Sequence, residues 1–266
     1  MSDTVLVHGD DGVVTLTLNR PAALNALSEE MMQALHAAVK RVVADPRTAA
    51  IVVRGAGEHF MAGGDIKDFH SRLAMTPDAR LAYFRSIIEQ WINPTMRALR
   101  ESPHPVVGAV QGACAGFGFS LMLGCDITIA AENAYFTTGY ALLGTSPDGG
   151  GTYFLPRLVG TKKAAELMML ADRFTAAEAL ELGLINRIVP TDQLETESTQ
   201  FARRLARGPR RVHAEVKRLL HNSHLATLDM QLQAEAEAFG RCSATADFAE
   251  GVMAFVEKRQ PSFRRE

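Results

Sequence analysis

Hydrophobic positions in the first part of the chain change between the period of a strand and the period of a helix. Residues 4–21, TVLVHGDDGVVTLTLNRP, contain two β-rich runs around a central Asp-Asp-Gly, which predicts a β-hairpin. Ser28 then precedes two glutamates and apolar residues at helical spacing, so a helix is predicted between Ser28 and Pro46. The next run, AAIVVRGAG at 49–57, is mostly apolar and ends in glycine, which indicates a short buried strand.

The same alternation of strand and helix continues toward residue 190. Residues 77–101 have a helical pattern with Pro94 inside it, which predicts a kink or a break. The runs HPVVGAVQG (104–112) and CDITIAAE (125–132) predict two further buried strands, separated by a glycine-rich segment. Strands that alternate with helices indicate parallel pairing with helical crossovers, so the predicted fold class is α/β.

The last third of the chain has a helical pattern only. Helices are expected over residues 191–207, 209–222, 227–240 and 244–258. We therefore expect an α/β core over residues 1–190 and a helical region over residues 191–266. Because these helices have no sheet of their own, their apolar positions must pack on the core or on another subunit.

Composition narrows the class of protein. The chain has 266 residues, of which 47% are hydrophobic, with a formal net charge of −2 and a pI near 6.5. This balance gives no electrostatic footprint for nucleic acid, and the longest apolar stretches are interrupted by Gly, Asp or Arg, which argues against a membrane span. The three cysteines have no zinc-like spacing, and the first residues lack a signal-peptide pattern, so we expect free thiols and a cytoplasmic protein.

The stretch GTSPDGGGTYFLPRLVG (144–160) places one carboxylate, Asp148, between a proline and three glycines. Pro-Asp-Gly is ordinary turn chemistry, and aspartate also suits the N-cap of a helix that begins near Gly149. A third interpretation is a functional carboxylate, held in a loop whose glycines let a ligand approach the backbone closely.

Two glycine-containing stretches each follow a predicted strand, FMAGGDIKDF (60–69) and QGACAGFGFSLMLGCD (111–126). Such loops can direct backbone N–H groups into a cavity. The second stretch lacks both the full dinucleotide fingerprint and the Lys-Ser/Thr ending of a phosphate-binding loop, so a nucleotide cofactor is poorly supported. Two N–H donors from separate loops are also what an oxyanion hole requires.

Six segments together resemble the enoyl-CoA hydratase/isomerase (crotonase) superfamily. In chain order they are LTLNRPAALNAL (16–27), FMAGGDIKDF (60–69), PVVGAVQGACAGFGFSLMLGCDITIAAENAYF (105–136), GTSPDGGGTYFLPRLVG (144–160), ALELGLINRIV (179–189) and GVMAFVEKRQPSF (251–263). The resemblance implies a crotonase-like fold, with a spiral core of repeated ββα units and a C-terminal helical region. It also implies an acyl-CoA substrate with no separate cofactor, since coenzyme A is part of the substrate, and a homotrimer or a dimer of trimers.

The resemblance also carries residues over to this sequence. The two amides of the family's oxyanion hole fall on Gly64 and Phe117; the family usually has glycine at the second place, so Phe117 is expected to narrow or reshape the pocket. Coenzyme A-binding positions fall on Ala23, Leu24, Ala62, Gly64, Asp65, Ile66, Phe255 and Lys258. The last two are expected on neighbouring faces of one helix over an active-site mouth, although Lys258 also fits an ordinary surface lysine.

Both glutamates of the family's hydratases are absent. Their positions fall on Ser120 and Tyr140, neither of which is a good base at neutral pH. Asp148 falls where dienoyl-CoA isomerases, an epoxyphenylacetyl-CoA isomerase and a 4-chlorobenzoyl-CoA dehalogenase carry an aspartate. We therefore interpret Asp148 as the base and Tyr140 as a pocket wall whose hydroxyl can orient it. Asp65 and Asp126 are interpreted as structural, the first as a helix cap and the second as fixing the strand that follows it.

The resemblance and these residues predict an acyl-CoA isomerase that shifts a double bond through an enolate. Asp148 removes and returns the proton, while the amides of Gly64 and Phe117 stabilise the charge on the thioester oxygen. The sequence leaves three alternatives open. They are an enoyl-CoA hydratase of fatty-acid or aromatic-acid degradation, an aspartate nucleophile, and a non-catalytic acyl-CoA-binding subunit.

Overall fold

The computed structural model of the protein describes residues 3–263. Its strands are β1 (Val5–Asp10), β2 (Val13–Leu18), β3 (Ala50–Gly55), β4 (Val106–Val110), β5 (Ala113–Ala115), β6 (Ile127–Ala131), β7 (Tyr135–Thr137), β8 (Phe174–Thr175) and β9 (Arg187–Val189). A six-stranded sheet has the order β1-β2-β3-β4-β6-β9, and a smaller sheet has the order β5-β7-β8. In the larger sheet β1 and β2 pair antiparallel and the other neighbours pair parallel, which confirms the predicted hairpin and the α/β class.

The helices alternate with these strands and then continue alone. Within the described residues they are α1 (Glu29–Ala44), α2 (Ile66–Arg72), α3 (Pro77–Ile87), α4 (Asn93–Glu101), α5 (Phe117–Leu123), α6 (Gly151–Leu170), α7 (Ala176–Glu181), α8 (Leu194–Ala206), α9 (Arg210–Ser223), α10 (Leu228–Ser243) and α11 (Ala246–Val256). Ser28 caps α1 as predicted, because its hydroxyl oxygen accepts a hydrogen bond from the Met31 amide at 3.3 Å. Between residues 3 and 263, no helix is both long enough and apolar enough to cross a membrane.

The region around Pro94 stays helical. A π-helical turn at Ile88–Ile92 joins α3 to α4, and the Asn93 amide donates to the Ile88 carbonyl. A wider turn relieves the clash between a proline ring and the carbonyl four residues before it. The predicted kink or break is therefore a single wide turn inside one continuous helical stretch.

The central strands of the larger sheet are buried on both faces. On one face Ile51 belongs to the large apolar cluster that also contains Leu35 of α1. On the other face Val52 belongs to a second cluster, which contains Leu194 and Ala202 of α8. Strands covered on both faces have continuous apolar runs, as the sequence shows here. The α8 helix lies in the predicted helical region, yet it packs on the sheet and completes the core.

The α9 helix is tied to the core by a buried lysine. Lys217 is 7% exposed, and its ammonium donates to the carbonyls of Leu99 at 2.9 Å and His104 at 3.1 Å. It also pairs with Asp126 Oδ2 at 2.7 Å, and the same oxygen accepts a hydrogen bond from the Val106 amide at 2.8 Å. Asp126 therefore joins the start of β4, the start of β6 and α9, which extends its predicted role of fixing one strand.

The helices α10 and α11 pack far less completely than the core. Ala238 and Ala254 are the buried apolar side chains that these two helices contribute. Their exposed large apolar side chains are Leu228, Met230, Leu232, Phe239, Phe248, Val252, Met253, Phe255 and Val256. Exposed apolar surface on this scale indicates an interaction surface.

Candidate active site

The two glycine-containing loops lie side by side. The Met61 amide donates to the Ala113 carbonyl at 3.0 Å, and the Ala115 amide donates to the Met61 carbonyl at 2.9 Å. These bonds form a parallel bridge between Met61 and Cys114. Gly64 and Phe117 each lie three residues beyond that bridge. The structure therefore places the two predicted oxyanion-hole residues at equivalent positions of two paired segments.

Glycine is required where these segments meet. Gly63 has φ 94° and Gly116 has φ 52°, in the left-handed region that disfavours other residues. A Cβ atom built on Gly116 would lie 3.1 Å from the Gly63 Cα atom, and one built on Gly63 would lie 3.3 Å from the Ala115 oxygen. The close approach of the two backbones explains why each loop carries a glycine just before the residue of interest.

The amides of Gly64 and Phe117 are available to a ligand. Phe117 is the first residue of α5, where a helix has no internal acceptor for its amides. The amide of the preceding residue, Gly116, donates to the Thr137 carbonyl at 3.3 Å. Within residues 3–263, no acceptor is found for the amide of Gly64 or of Phe117. Two such donors in adjacent loops can together bind one negatively charged oxygen.

The Phe117 ring contacts the Asp148 loop rather than solvent. The side chain is 3% exposed. A Cβ atom built on Gly149 would lie 2.8 Å from the ring carbon Cδ2 of Phe117, so the ring limits how closely this loop approaches α5. Gly149 itself has φ 59°, and a side chain at this position would collide with the ring. The expected effect of Phe117 on pocket shape stays a prediction.

Asp148 does not cap α6. The helix begins at Gly151, its N-cap is Gly150, and no side chain caps it, so the capping interpretation is wrong. Instead, the Tyr140 hydroxyl donates to Asp148 Oδ1 at 2.5 Å. The main-chain carbonyl of Asp148 accepts hydrogen bonds from the Ser120 hydroxyl at 2.8 Å and from the Gly151 amide at 3.1 Å. The predicted orienting role of Tyr140 agrees with this contact.

The electrostatic surroundings of Asp148 favour a proton acceptor. Burial raises the pKa of the Asp148 carboxyl, and the hydrogen bond from Tyr140 offsets part of that rise. Burial first, and then the charge of Asp148, raise the pKa of Tyr140 well above its ordinary value. Tyr140 therefore keeps its proton at neutral pH and acts as a donor. A carboxylate with a raised pKa and no cationic partner in the described chain suits acid–base chemistry.

The remaining positions implied for coenzyme A form one group around the first loop. The Ala62 amide donates to the Leu24 carbonyl at 3.0 Å, and Leu24 has φ 53°. Asp65 caps α2 as predicted, by accepting from the Lys67 amide at 3.0 Å. Backbone hydrogen bonds and this cap thus bring together Ala23, Leu24, Ala62, Gly64, Asp65 and Ile66.

Two side chains that hold this group were not singled out from the sequence. Arg20 Nη2 pairs with Asp65 Oδ2 at 2.7 Å. Asn25 is fully buried, and its amide nitrogen donates to the carbonyls of Ala56 at 2.9 Å and His59 at 2.7 Å. Asn25 has φ 55°, a conformation that asparagine tolerates better than most residues. In the sequence, the Asn-Arg-Pro segment at 19–21 and Asn25 itself were the features that could have indicated these two side chains.

Phe255 and Lys258 are placed differently from the other carried-over residues. Phe255 is 86% exposed and lines a groove of about 360 Å³ formed wholly by residues 209–263. The expectation that both residues lie on one helix is wrong, because α11 ends at Val256. Lys258 has φ 55°, and its amide donates to the Phe255 carbonyl at 3.3 Å in a helix-terminating turn. Within the single chain, neither residue is grouped with the two loops.

No metal centre accompanies these residues in the part of the chain that the structure describes. Among residues 3–263, no three His, Cys, Asp or Glu side chains form a group that could hold a metal ion. The candidate site comprises two backbone amides, one carboxylate and the tyrosine bonded to it. These groups can remove a proton and stabilise a developing oxyanion.

Comparison with known proteins agrees with this fold. A family model described as enoyl-CoA hydratase/isomerase matches residues 8–266. The chain is 38% identical over 264 residues to the 1,2-epoxyphenylacetyl-CoA isomerase of Escherichia coli (strain K12), covering 99% of both chains. It is 35% identical over 264 residues to the crotonyl-CoA hydratase of Syntrophomonas wolfei, covering 98% of both. A crystal structure of an enoyl-CoA hydratase from Bacillus anthracis matches with a TM-score of 0.91 and 32% identity, covering 99% of this chain and 100% of that one.

These matches extend over nearly the whole chain, as the predicted resemblance did. The fold is crotonase-like. The chain belongs to the enoyl-CoA hydratase/isomerase family.

Proposed function

We propose that this protein is an acyl-CoA isomerase that moves a double bond by proton removal and return, with Asp148 as the base. The observation that carries the proposal is that Asp148 is the carboxylate bonded by Tyr140. Burial raises the pKa of this carboxyl. Residues other than carboxylates occupy the two places where the resemblance puts the hydratase glutamates. One carboxylate is sufficient for proton transfer between two carbons.

The proposed chemistry uses these groups in turn. With a 3-enoyl-CoA, Asp148 takes a proton from C2, and the electron pair moves onto the thioester oxygen. The amides of Gly64 and Phe117 stabilise this negative charge, and loss of one such donor typically slows a reaction by ~10²–10³. The protonated Asp148 then returns the proton to C4. The double bond moves from C3–C4 to C2–C3, and the enzyme ends in its starting state.

Hydration requires a group that activates water, and the two adjoining side chains are poorly suited to it. The Ser120 hydroxyl donates to the Asp148 carbonyl. Tyr140 keeps its proton because its pKa is raised. Relatives of comparable identity include both an isomerase and a hydratase by name, so the choice between the two activities depends on these residues rather than on overall similarity.

We also propose that the chain assembles as a homotrimer or a dimer of trimers and binds the coenzyme A part of its substrate with help from a neighbouring subunit. The support is the exposed apolar surface of α10 and α11 and the separation of Phe255 from the two loops within one chain. Phe255 of a neighbour is then expected near the adenine, and Lys258 near the phosphates.

The reaction type is tested by measuring two rates across acyl groups. We expect a 3-enoyl-CoA to be isomerised faster than the matching 2-enoyl-CoA is hydrated, for short, medium and aromatic substrates. Hydration that exceeds isomerisation throughout this panel would contradict the isomerase assignment. Absence of both activities, with acyl-CoA binding retained, would instead support a non-catalytic acyl-CoA-binding subunit.

A further inference from the structure

The two carboxylate oxygens of Asp148 are not equivalent. Oδ1 lies 2.5 Å from the Tyr140 hydroxyl. Among residues 3–263, no side chain other than Tyr140 hydrogen-bonds to this carboxylate, and the residue's own amide adds a local contact. Tyr140 is 9% exposed, so water competes poorly for its hydroxyl. The structure therefore binds Oδ1 through Tyr140 and gives Oδ2 no side-chain partner in the described chain.

A third residue completes a closed set of contacts around this carboxylate. The Ser120 hydroxyl lies 3.4 Å from the Tyr140 hydroxyl and donates to the main-chain carbonyl of Asp148 at 2.8 Å. Ser120 is 1% exposed and lies on α5. The same helix begins with Phe117. The carboxylate and one proposed oxyanion donor are thus fixed relative to each other through a single short helix.

Few groups act on the charge of Asp148. Ser120 faces it from α5, Tyr140 from the turn before the loop, and the Gly151 amide from α6. Burial disfavours the ionised carboxyl, whereas the Tyr140 hydroxyl and the residue's own amide favour it. In the described part of the chain, no other titratable or charged side chain alters its protonation.

We propose that Tyr140 is a positioning residue, which binds Oδ1 of the Asp148 carboxylate and thereby favours its ionised form, so that Oδ2 is the atom that accepts a proton. That this proton comes from an acyl-CoA rests on the proposed function. The effect of the tyrosine on the carboxyl does not, because it depends only on their contact and on burial.

The direct test is a titration of the Asp148 carboxyl in Tyr140→Phe. The phenyl ring keeps the packing and removes the donor. We expect the pKa of Asp148 to rise by about one unit, since a hydrogen bond to a charged group is among the stronger ones. Carbon-13 NMR of protein labelled at the aspartate carboxyl carbons measures this value, with Asp148→Asn assigning the signal. Tyr153→Phe removes another hydroxyl nearby in sequence and is expected to leave the titration unchanged.

Kinetics give a second readout. The acidic limb of kcat/KM for isomerisation should move to higher pH by the same amount in Tyr140→Phe, with part of the activity recovered at alkaline pH. An unmoved titration of Asp148, or a loss of activity that is equal at every pH, would overturn the proposal. A moved titration in a protein without isomerase activity would support the role of Tyr140 and contradict the proposed function instead.

A variant that preserves shape covers the case in which Tyr140→Phe does not fold. Replacement of Tyr140 by 3-fluorotyrosine gives a more acidic phenol, which is a stronger donor. The pKa of Asp148 should then shift downward, opposite to the effect of Tyr140→Phe. An unchanged or raised value would contradict the proposed role.

Discussion

Asp126 directly precedes β6 and Asp148 lies in the loop before α6; both aspartates are partly buried, yet their side chains have opposite surroundings. Asp126 accepts a hydrogen bond from the Val106 amide and faces Lys217 at 2.7 Å and His221 at 3.5 Å. Burial works to raise its pKa, but the bonds from His221 and Lys217 and the lysine charge outweigh burial, so the pKa of Asp126 lies below its ordinary value.

Asp148 has a neutral donor where Asp126 has a cation. Its partner is Tyr140, burial is the largest influence, and its pKa is raised. The amides of Gly64 and Phe117 likewise have no acceptors among residues 3–263. An aspartate is structural where a cation and an amide of the chain bind its carboxylate, as at Asp126. The same residue type suits a reactive role where its carboxylate has no cation, as at Asp148.

The largest expected effect comes from removing the cation that pairs with Asp126. Lys217→Met leaves Asp126 without its close cation, and removing one partner of a buried ion pair typically costs about 3–5 kcal/mol. We expect the free energy of unfolding in urea to fall by about that amount, while the kcat of the folded fraction changes little. Lys163→Met is the control, because Lys163 forms an exposed pair with Glu166 that should contribute less than about 1 kcal/mol. Equal effects of the two variants would contradict the structural role of Asp126.

A large effect on assembly is expected from the uncovered helices. Removal of residues 251–266 deletes half of α11 with Phe255, which is 86% exposed. Light scattering should show a shift from the wild-type oligomer to smaller species, because apolar surface buried between subunits is lost. Leu81→Ser changes an exposed apolar residue of α3 and should leave the oligomer unchanged. A monomeric wild type would contradict the assembly proposal.

A smaller effect is expected at Lys258. This residue is exposed, and as a phosphate contact it would be screened by salt, since the screening length is about 8 Å at physiological ionic strength. Lys258→Ala should raise KM for the acyl-CoA and flatten its dependence on salt, with kcat nearly unchanged. Lys258→Arg keeps the charge and should retain most of the salt dependence. An unchanged KM in Lys258→Ala would identify an ordinary surface lysine.

The smallest effect is expected in the stability of Asp148→Asn. Because the folded-state pKa of this carboxyl is raised, its contribution to stability is fully present below the unfolded-state pKa and is lost as pH rises through the folded-state pKa. Above its folded-state pKa the ionised, partly buried carboxylate therefore destabilises the fold. Thermal unfolding should show Asp148→Asn to be as stable as the wild type or slightly more stable at neutral pH. A clear loss of stability would indicate that Asp148 is structural, like Asp126.

Much of the fold follows from local sequence patterns. The hairpin, the cap at Ser28 and the alternation of strands and helices each depend on neighbouring residues, and the structure confirms them. Lys258 shows where a pattern misleads, because the helical spacing continues through a residue that the structure places in a left-handed turn. Hydrophobic periodicity does not reveal where a helix ends when the left-handed residue that terminates it is not glycine.

The candidate site was only partly predictable. The sequence and its resemblance to a family point to Asp148, Gly64 and Phe117, and the structure pairs the last two through the Met61–Cys114 bridge. The ties that hold such groups were not predictable. Arg20 and Asp65 are 45 residues apart in sequence, and Lys217 of α9 pairs with Asp126 at the start of β6. Contacts of this kind depend on the tertiary fold and leave no periodic signal in the sequence.

The central claim is that Asp148 performs the proton transfer, and the most direct test is the kcat of Asp148→Asn on the best 3-enoyl-CoA substrate. Asparagine keeps the size of the side chain and can still accept the hydrogen bond from Tyr140, but it cannot take a proton from carbon. General base catalysis typically contributes 10²–10⁴-fold, so we predict a fall in kcat of roughly that size, with acyl-CoA binding largely retained. A kcat within a few-fold of the wild type would contradict the account.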